Sequence, residues 1–279
     1  DVHLCTGPLY HAAPLAFSLA APLNAGVGVV LMAGWDPETM LALVEQHRVS
    51  HTHLVPIMFH RLLGLPDAVR DAYDLSSLRM VIHGAAPCPV PVKQAMIEWL
   101  GPVLPEYYAT PEGHGSVVAS DAWLKRLGDV GLPVADMVVV RDERGAPAAP
   151  GVVGTVFLKA PPTGRFEYFK AAEKTADAYH DRYFTLGDMG YVDEDGWLFL
   201  TDRSANLIIS GGVNVYPAEI DAVLLTHPAV GDAATIGVPR GARMSTARCT
   251  RSPRAARKPS GTRPGSTPAT GTMSGRGAT

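Results

Sequence analysis

Residues 79–108 read RMVIHGAAPCPVPVKQAMIEWLGPVLPEYY, and the order of elements in them decides the fold. The apolar run 79–83 reads as a strand that stops at Gly84-Ala85-Ala86-Pro87, a turn whose small residues let a ligand approach the backbone. Residues 90–100 are spaced as a helix, and 103–108 read as a second strand. The same alternation extends upstream. A strand is expected over 27–32, and Asp36 caps a helix that has Pro37 first and runs to about Arg48. A short strand over 52–55 leads to a helix over 56–65, with Ile57, Met58, Leu62 and Leu63 on one face. Repeated βαβ units imply an α/β fold around a mostly parallel, covered sheet.

Beyond Gly128 the texture changes. Short strand-like runs over 137–140, 154–159, 190–192 and 197–200 alternate with turns at 142–145 and 193–196, a pattern for a small antiparallel sheet or barrel. Residues 201–217, TDRSANLIISGGVNVYP, carry a Gly211-Gly212 corner beside a strand. No Gly-Lys-Ser/Thr follows it, so it is not the phosphate loop of a P-loop enzyme. A helix is expected from Pro217, with Ile220, Val223 and Leu224 as its buried face, ended by His227-Pro228, then a strand over 233–238. The domain reading is 1–202 for a large domain, 203–240 for the start of a small mobile α+β domain, and 241–279 for a disordered tail.

The net charge of -3 is unevenly spread: the first 240 residues hold 16 basic and 27 acidic residues, the last 39 hold eight basic and none acidic. No basic face with interleaved aromatics is present in the folded part, which argues against nucleic-acid binding. The three cysteines, Cys5, Cys88 and Cys249, are far apart in sequence and fit a reducing cytoplasm better than a disulfide framework. His51-Thr52-His53 places two imidazoles on one face of a strand with no third ligand near in sequence, the pattern of ordinary strand histidines. Residues 12–35 carry no charge, but Pro14, Pro22, Asn24 and three glycines interrupt them. They read as a buried helix, a turn at 24–26 and a strand, and not as a membrane span, which leaves peripheral membrane association open. The chain opens on Asp1, without an initiator methionine or signal peptide, as expected of a piece from within a longer protein. The tail is read as an out-of-frame translation of a G+C-rich gene, since it holds chiefly Arg, Ala, Pro, Gly, Ser and Thr.

Singly, the motifs say little. In order they say more: Pro8-Leu9-Tyr10-His11, the Gly84–Pro87 turn, Tyr108-Ala109-Thr110-Pro111-Glu112, Tyr183–Asp188, Tyr191–Gly196, Thr201-Asp202-Arg203 and Ile208–Glu219. This series resembles the adenylate-forming superfamily, particularly its fatty acyl-CoA synthetases, over residues 1–240. The resemblance implies that Gly84, Ala85, Ala86 and Pro87 sandwich an adenine against Tyr108, with Ala109 and Thr110 beside it. It implies that Asp188 accepts from both ribose hydroxyls and that Arg203 also holds the ribose. Glu112 would ligate the Mg2+ on the ATP phosphates, and His11 would belong to the motif lining the acyl pocket. The Gly211-Gly212 corner would let the coenzyme A thiol pass along bare backbone. The implied reaction activates a carboxylic acid, a fatty acid in the nearest resemblance, with ATP to an acyl-adenylate, and coenzyme A then displaces AMP.

Four departures stand beside the resemblance. No Ser/Thr/Gly/Lys-rich phosphate loop precedes Pro8, and no catalytic lysine context follows residue 241. Pro111 replaces the usual Thr, and Ala205 occupies the hinge position where Lys or Asp is usual. These imply little synthetase turnover by the chain as given, and set a nucleotide-binding remnant beside the enzyme as the alternative reading.

Overall fold

The computed structural model describes residues 1–210, 213–227 and 230–237. Its first sheet has six strands: β1 (Val2–Cys5), β2 (Gly28–Leu31), β3 (His51–Leu54), β4 (Met80–His83), β5 (Glu106–Thr110) and β6 (Gly113–Val118). They lie in the order β2-β1-β3-β4-β5-β6. The first five pair in parallel, and β6 folds back antiparallel on β5. The expected α/β class holds, and the connections supply the helices. The helix Pro37–His47 starts where Asp36 accepts from the Thr39 amide at 2.8 Å, and ends at Arg48 in the left-handed region. The helix Val90–Leu100 spans the expected residues. In the helix Pro56–Leu63 the buried residues are Pro56, Phe59 and Leu62, so the apolar face is centred on Phe59, and Ile57, Met58 and Leu63 flank it half-buried.

In the uncharged run 12–35 the expected strand is β2, but the helical part before it is not the buried helix expected. It forms a π-helical stretch, Pro14–Ala20, followed by the short helix Ala21–Asn24. Only Pro14, Ser18 and Pro22, every fourth residue, are fully buried, while Leu15 and Leu23 are exposed. An apolar residue is not thereby an inside residue, and one narrow stripe is all a helix lying on a single sheet face needs to bury.

The second sheet is antiparallel and built from β7 (Val138–Arg141), β8 (Gly154–Lys159), β9 (Tyr179–His180), β10 (Tyr183–Phe184), β11 (Asp188–Val192) and β12 (Leu198–Arg203). Its strand order is β12-β11-β8-β10-β9, with β7 on β8. The turns at 142–145 and 193–196 close with Gly145 N–H on the Asp142 carbonyl at 2.9 Å and Gly196 N–H on the Asp193 carbonyl at 3.0 Å. Each leading aspartate also accepts two later backbone amides on one carboxylate oxygen, the local bonding that makes Asp a turn residue.

Past β12, β13 (Ile208–Ser210) pairs antiparallel with β14 (Val213–Val215), and the helix Pro217–Leu225 follows. The expected buried face of this helix is corrected: Ile220 and Val223 are exposed and Leu224 is half-buried. Residues 233–237 form no strand, because no neighbouring strand offers them a ladder among the described residues; instead Thr235 Oγ1 donates to Asp221 at 2.7 Å. Gly211, Gly212, Pro228 and the 241–279 tail lie outside the described residues. No helix among the described residues is long and apolar enough to cross a membrane.

Candidate active site

The carboxyl ends of parallel strands are where open α/β sheets take ligands. β4 ends at His83 and runs straight into Gly84, where a side chain is impossible: a Cβ there would stand 2.5 Å from the Tyr107 carbonyl oxygen and 2.8 Å from the Tyr107 ring. Ala85 follows at φ +68°, in the left-handed region that non-glycine residues seldom adopt. The turn is therefore pressed against β5 and held in a sparsely populated shape. Gly84 serves that packing, while Ala85, Ala86 and Pro87 face a cavity of about 770 Å³.

Across this cavity stands Tyr108. Its hydroxyl donates to Asp188 Oδ2 at 2.8 Å, and Arg203 Nε donates to Asp188 Oδ1 at 2.9 Å. The second sheet makes this meeting by register, since Asp188 opens β11 directly opposite Arg203 at the end of β12. Asp188 is buried, whereas the Arg203 side chain is 63% exposed. Burial, then the Asp188 charge, pushes the Tyr108 phenol well up, so it stays a neutral donor. Ala109 and Thr110 also line this cavity, and with Ala85, Tyr107 and Arg203 they line a second cavity of about 1190 Å³.

His11 and Glu112 lie on that second cavity. His11 is exposed, with its ring 4.8 Å from Tyr10. Glu112 is half-buried and accepts from the Tyr168 hydroxyl at 3.4 Å. Among the described residues no group of three or more His, Cys, Asp and Glu is placed to hold a metal. Glu112 therefore stands on this cavity as one carboxylate, a donor that would fit Mg2+, an ion that keeps waters and takes substrate phosphate oxygens.

Sequence reasoning missed three features. Lys93 and Glu106 form a buried ion pair, Nζ to Oε2 at 2.5 Å, with Lys93 also over the Trp123 ring at 4.3 Å; Glu106 reaches the smaller cavity. Burial pushes both partners toward their neutral forms, lowering Lys93 and raising Glu106, and the mutual attraction opposes it. The signal was present: Lys93 sits among Val92, Met96 and Ile97 on the buried stripe of its helix. Asp202 accepts from the Ala218 amide at 3.0 Å and from Asn206, tying the Pro217–Leu225 helix to β12 beside Arg203. His53, half of the pair first read as ordinary strand histidines, is buried with Nε2 3.0 Å from the Tyr107 hydroxyl, while His51 meets Ser50.

The sequence pattern of the AMP-binding enzymes matches residues 1–165, more than half of the chain. The chain belongs to the AMP-binding enzyme family. Among its relatives is the 2-succinylbenzoate–CoA ligase of Geobacillus kaustophilus, 34% identical over 85% of this chain and 48% of the relative. The long-chain-fatty-acid–CoA ligase of Bacillus subtilis is 31% identical over 86% of this chain and 43% of the relative. The chain spans about half the length of the curated relatives it matches. Of the solved structures, the O-succinylbenzoate coenzyme A synthetase of Bacillus subtilis in complex with ATP and magnesium is 28% identical. Its TM-score is 0.72, with 86% of this chain and 50% of that one covered. In this member of the AMP-binding enzyme family, both sheets bring expected site residues to one cavity: Ala85–Pro87 and Tyr108 from the first, Asp188 and Arg203 from the second.

Proposed function

We propose that this chain carries the nucleotide- and acid-holding part of an ATP-dependent, AMP-forming acid–CoA ligase. The convergence of Tyr108 and Arg203 on Asp188 in the smaller cavity, with Arg203 also lining the larger one, carries the reading. The smaller cavity takes the nucleoside and the larger one the acid, so that the α-phosphate and the carboxylate meet at Ala109, Thr110 and Arg203. Asp188 holds the ribose. Each carboxylate oxygen has two acceptor positions, and Tyr108 and Arg203 fill one apiece, so a vicinal diol still finds one acceptor on each oxygen. The adenine lies between the Ala85–Pro87 backbone and the Tyr108 ring.

A carboxylate oxygen then attacks the α-phosphorus and pyrophosphate leaves; the coenzyme A thiol attacks the acyl carbon, loses its proton and expels AMP. Arg203 contributes fixed positive charge where phosphate charge accumulates, and positioning supplies much of the rest. Glu112 is the residue that would hold Mg2+, whose chemistry is to neutralise phosphate charge. The acid is a small-molecule carboxylic acid. A fatty acid, as the sequence resemblance implied, is one candidate, and the relatives' names span a fatty acid and a succinylbenzoate.

Calorimetric titration of the chain with AMP tests the reading. AMP binds, and Asp188→Ala weakens it by about 1.5–3 kcal/mol, the scale of hydrogen bonds to a charged group. Equal affinity in wild type and variant sinks the assignment.

A further inference from the structure

The wall of the larger cavity carries a polar pair that acid activation leaves unused. Tyr107 Oη and His53 Nε2 stand 3.0 Å apart. The Phe17 ring lies against both, 4.9 Å from the Tyr107 ring and stacked on the imidazole at 5.8 Å and 22°. All three line the cavity, where Ala12, Ala16 and Met58 supply the adjoining apolar surface. Burial lowers the His53 pKa to about 4 and pushes the Tyr107 phenol up to about 12, so both groups are neutral at physiological pH.

The pair has spare hydrogen-bonding capacity whichever tautomer His53 adopts. A phenol offers one donor and two acceptor positions. If Tyr107 donates to the imidazole, its oxygen lone pairs remain open; if the imidazole donates, the phenolic O–H remains open. No second partner of Tyr107 Oη is found among the described residues. An alkyl chain seated on this wall strips water from those positions and returns nothing. A ligand oxygen fills them, and a site built around such a contact discriminates against the analogue lacking it. The ring shelf of Phe17, His53 and Tyr107 adds a preference for a flat π-system over a flexible chain.

We propose that the acid held by this cavity is a planar aromatic carboxylic acid with a hydroxyl or carbonyl oxygen besides its carboxylate, read by the His53–Tyr107 pair beneath Phe17. The inference rests on the ligase reading only for the cavity's role as the acid site.

Three probe acids test it by calorimetric or ligand-observed NMR titration of the chain: 4-hydroxycinnamate, cinnamate and octanoate. The hydroxylated acid binds about tenfold tighter than cinnamate, one hydrogen bond's worth, and octanoate binds weakest. Tyr107→Phe keeps the ring and removes the oxygen, bringing the hydroxylated and plain acids within about twofold of each other. His53→Gln, which keeps a partner for the phenol, retains part of the preference. A wild-type ratio near one overturns the proposal, as does octanoate binding tightest, no detectable acid binding, or a ratio unchanged in Tyr107→Phe. Separate AMP titration keeps the two readings apart. Acid discrimination without AMP binding fails the ligase reading and supports this one; AMP binding without acid discrimination does the reverse.

Discussion

The two sheets contribute to one site, yet they handle charge in opposite ways. The parallel sheet hides it: Lys93 and Glu106 are paired in the core, His83 is buried 3.9 Å from Glu106, and His3 and His53 are buried elsewhere on the same sheet. The antiparallel sheet displays it: Asp136, Lys159, Arg182 and the Tyr183 hydroxyl form a network on its surface. The same ion-pair chemistry therefore has different consequences. In the core a lost partner leaves a bare charge in low dielectric, while at the surface water replaces it.

The sharpest test of that contrast is Lys93→Met. It strands the Glu106 carboxylate, 5% exposed, without its cation, and the chain loses about 3–5 kcal/mol in denaturant unfolding. The double variant Lys93→Met/Glu106→Leu recovers most of the loss, because no charge is left to strand. A double variant no more stable than the single would show that the pair's geometry, and not its charge, holds the helix Val90–Leu100 against β5.

A second test uses pH. Burial is the leading cause lowering His3 and His53 to about 4 and His83 well below its ordinary value. The unfolded chain then binds protons below about pH 6.5 that the folded chain refuses, so stability falls as pH drops from there toward 4. Each of His3 and His53 costs about 3 kcal/mol by pH 4 if the two act independently. Asp136 moves the other way: the Lys159 hydrogen bond, first among its causes, lowers it below the ordinary carboxylate value of 3.8. Its contribution is intact throughout that window and is lost only as pH falls further. Unfolding midpoints measured from pH 7 to 4 show a steep fall in wild type that His53→Gln flattens; parallel curves refute the assignment to this imidazole.

The sequence disclosed the same division unevenly. Residues 90–100 and 154–159 were legible because spacing and composition agree there with the tertiary demand. β1 was missed although it is paired on both sides, because the four residues Val-His-Leu-Cys are too few for a periodic pattern to show. β6 was missed because Gly113 and Gly115 argue against a strand; yet a Cβ at Gly113 would meet the Phe184 ring at 2.6 Å, so the glycine is set by close approach of the second sheet. Asp188 and Arg203 were named from their motifs, but their adjacency follows from β11–β12 register, which no local pattern shows. The His53–Tyr107 contact joins residues 54 apart in sequence and was invisible for the same reason.

The smallest expected effect lies at the surface of the second sheet. Arg182 Nη2 stands 2.9 Å from Asp136 Oδ1, with the arginine side chain 64% exposed and the aspartate 40%. Asp136 keeps its Lys159 contact at 2.6 Å and its Tyr183 hydrogen bond when Arg182 is removed, so no charge is stranded. Solvent screens what is lost, and freeing a long side chain returns entropy. Arg182→Ala accordingly shifts the melting temperature by less than about 2 °C, and 0.5 M salt narrows even that difference. Asp136 sits at φ +67°, in the left-handed region that Asp enters more readily than most residues. A drop as large as that of Lys93→Met would break the comparison, because it would mean that the exposed network carries the second sheet as the buried pair carries the first.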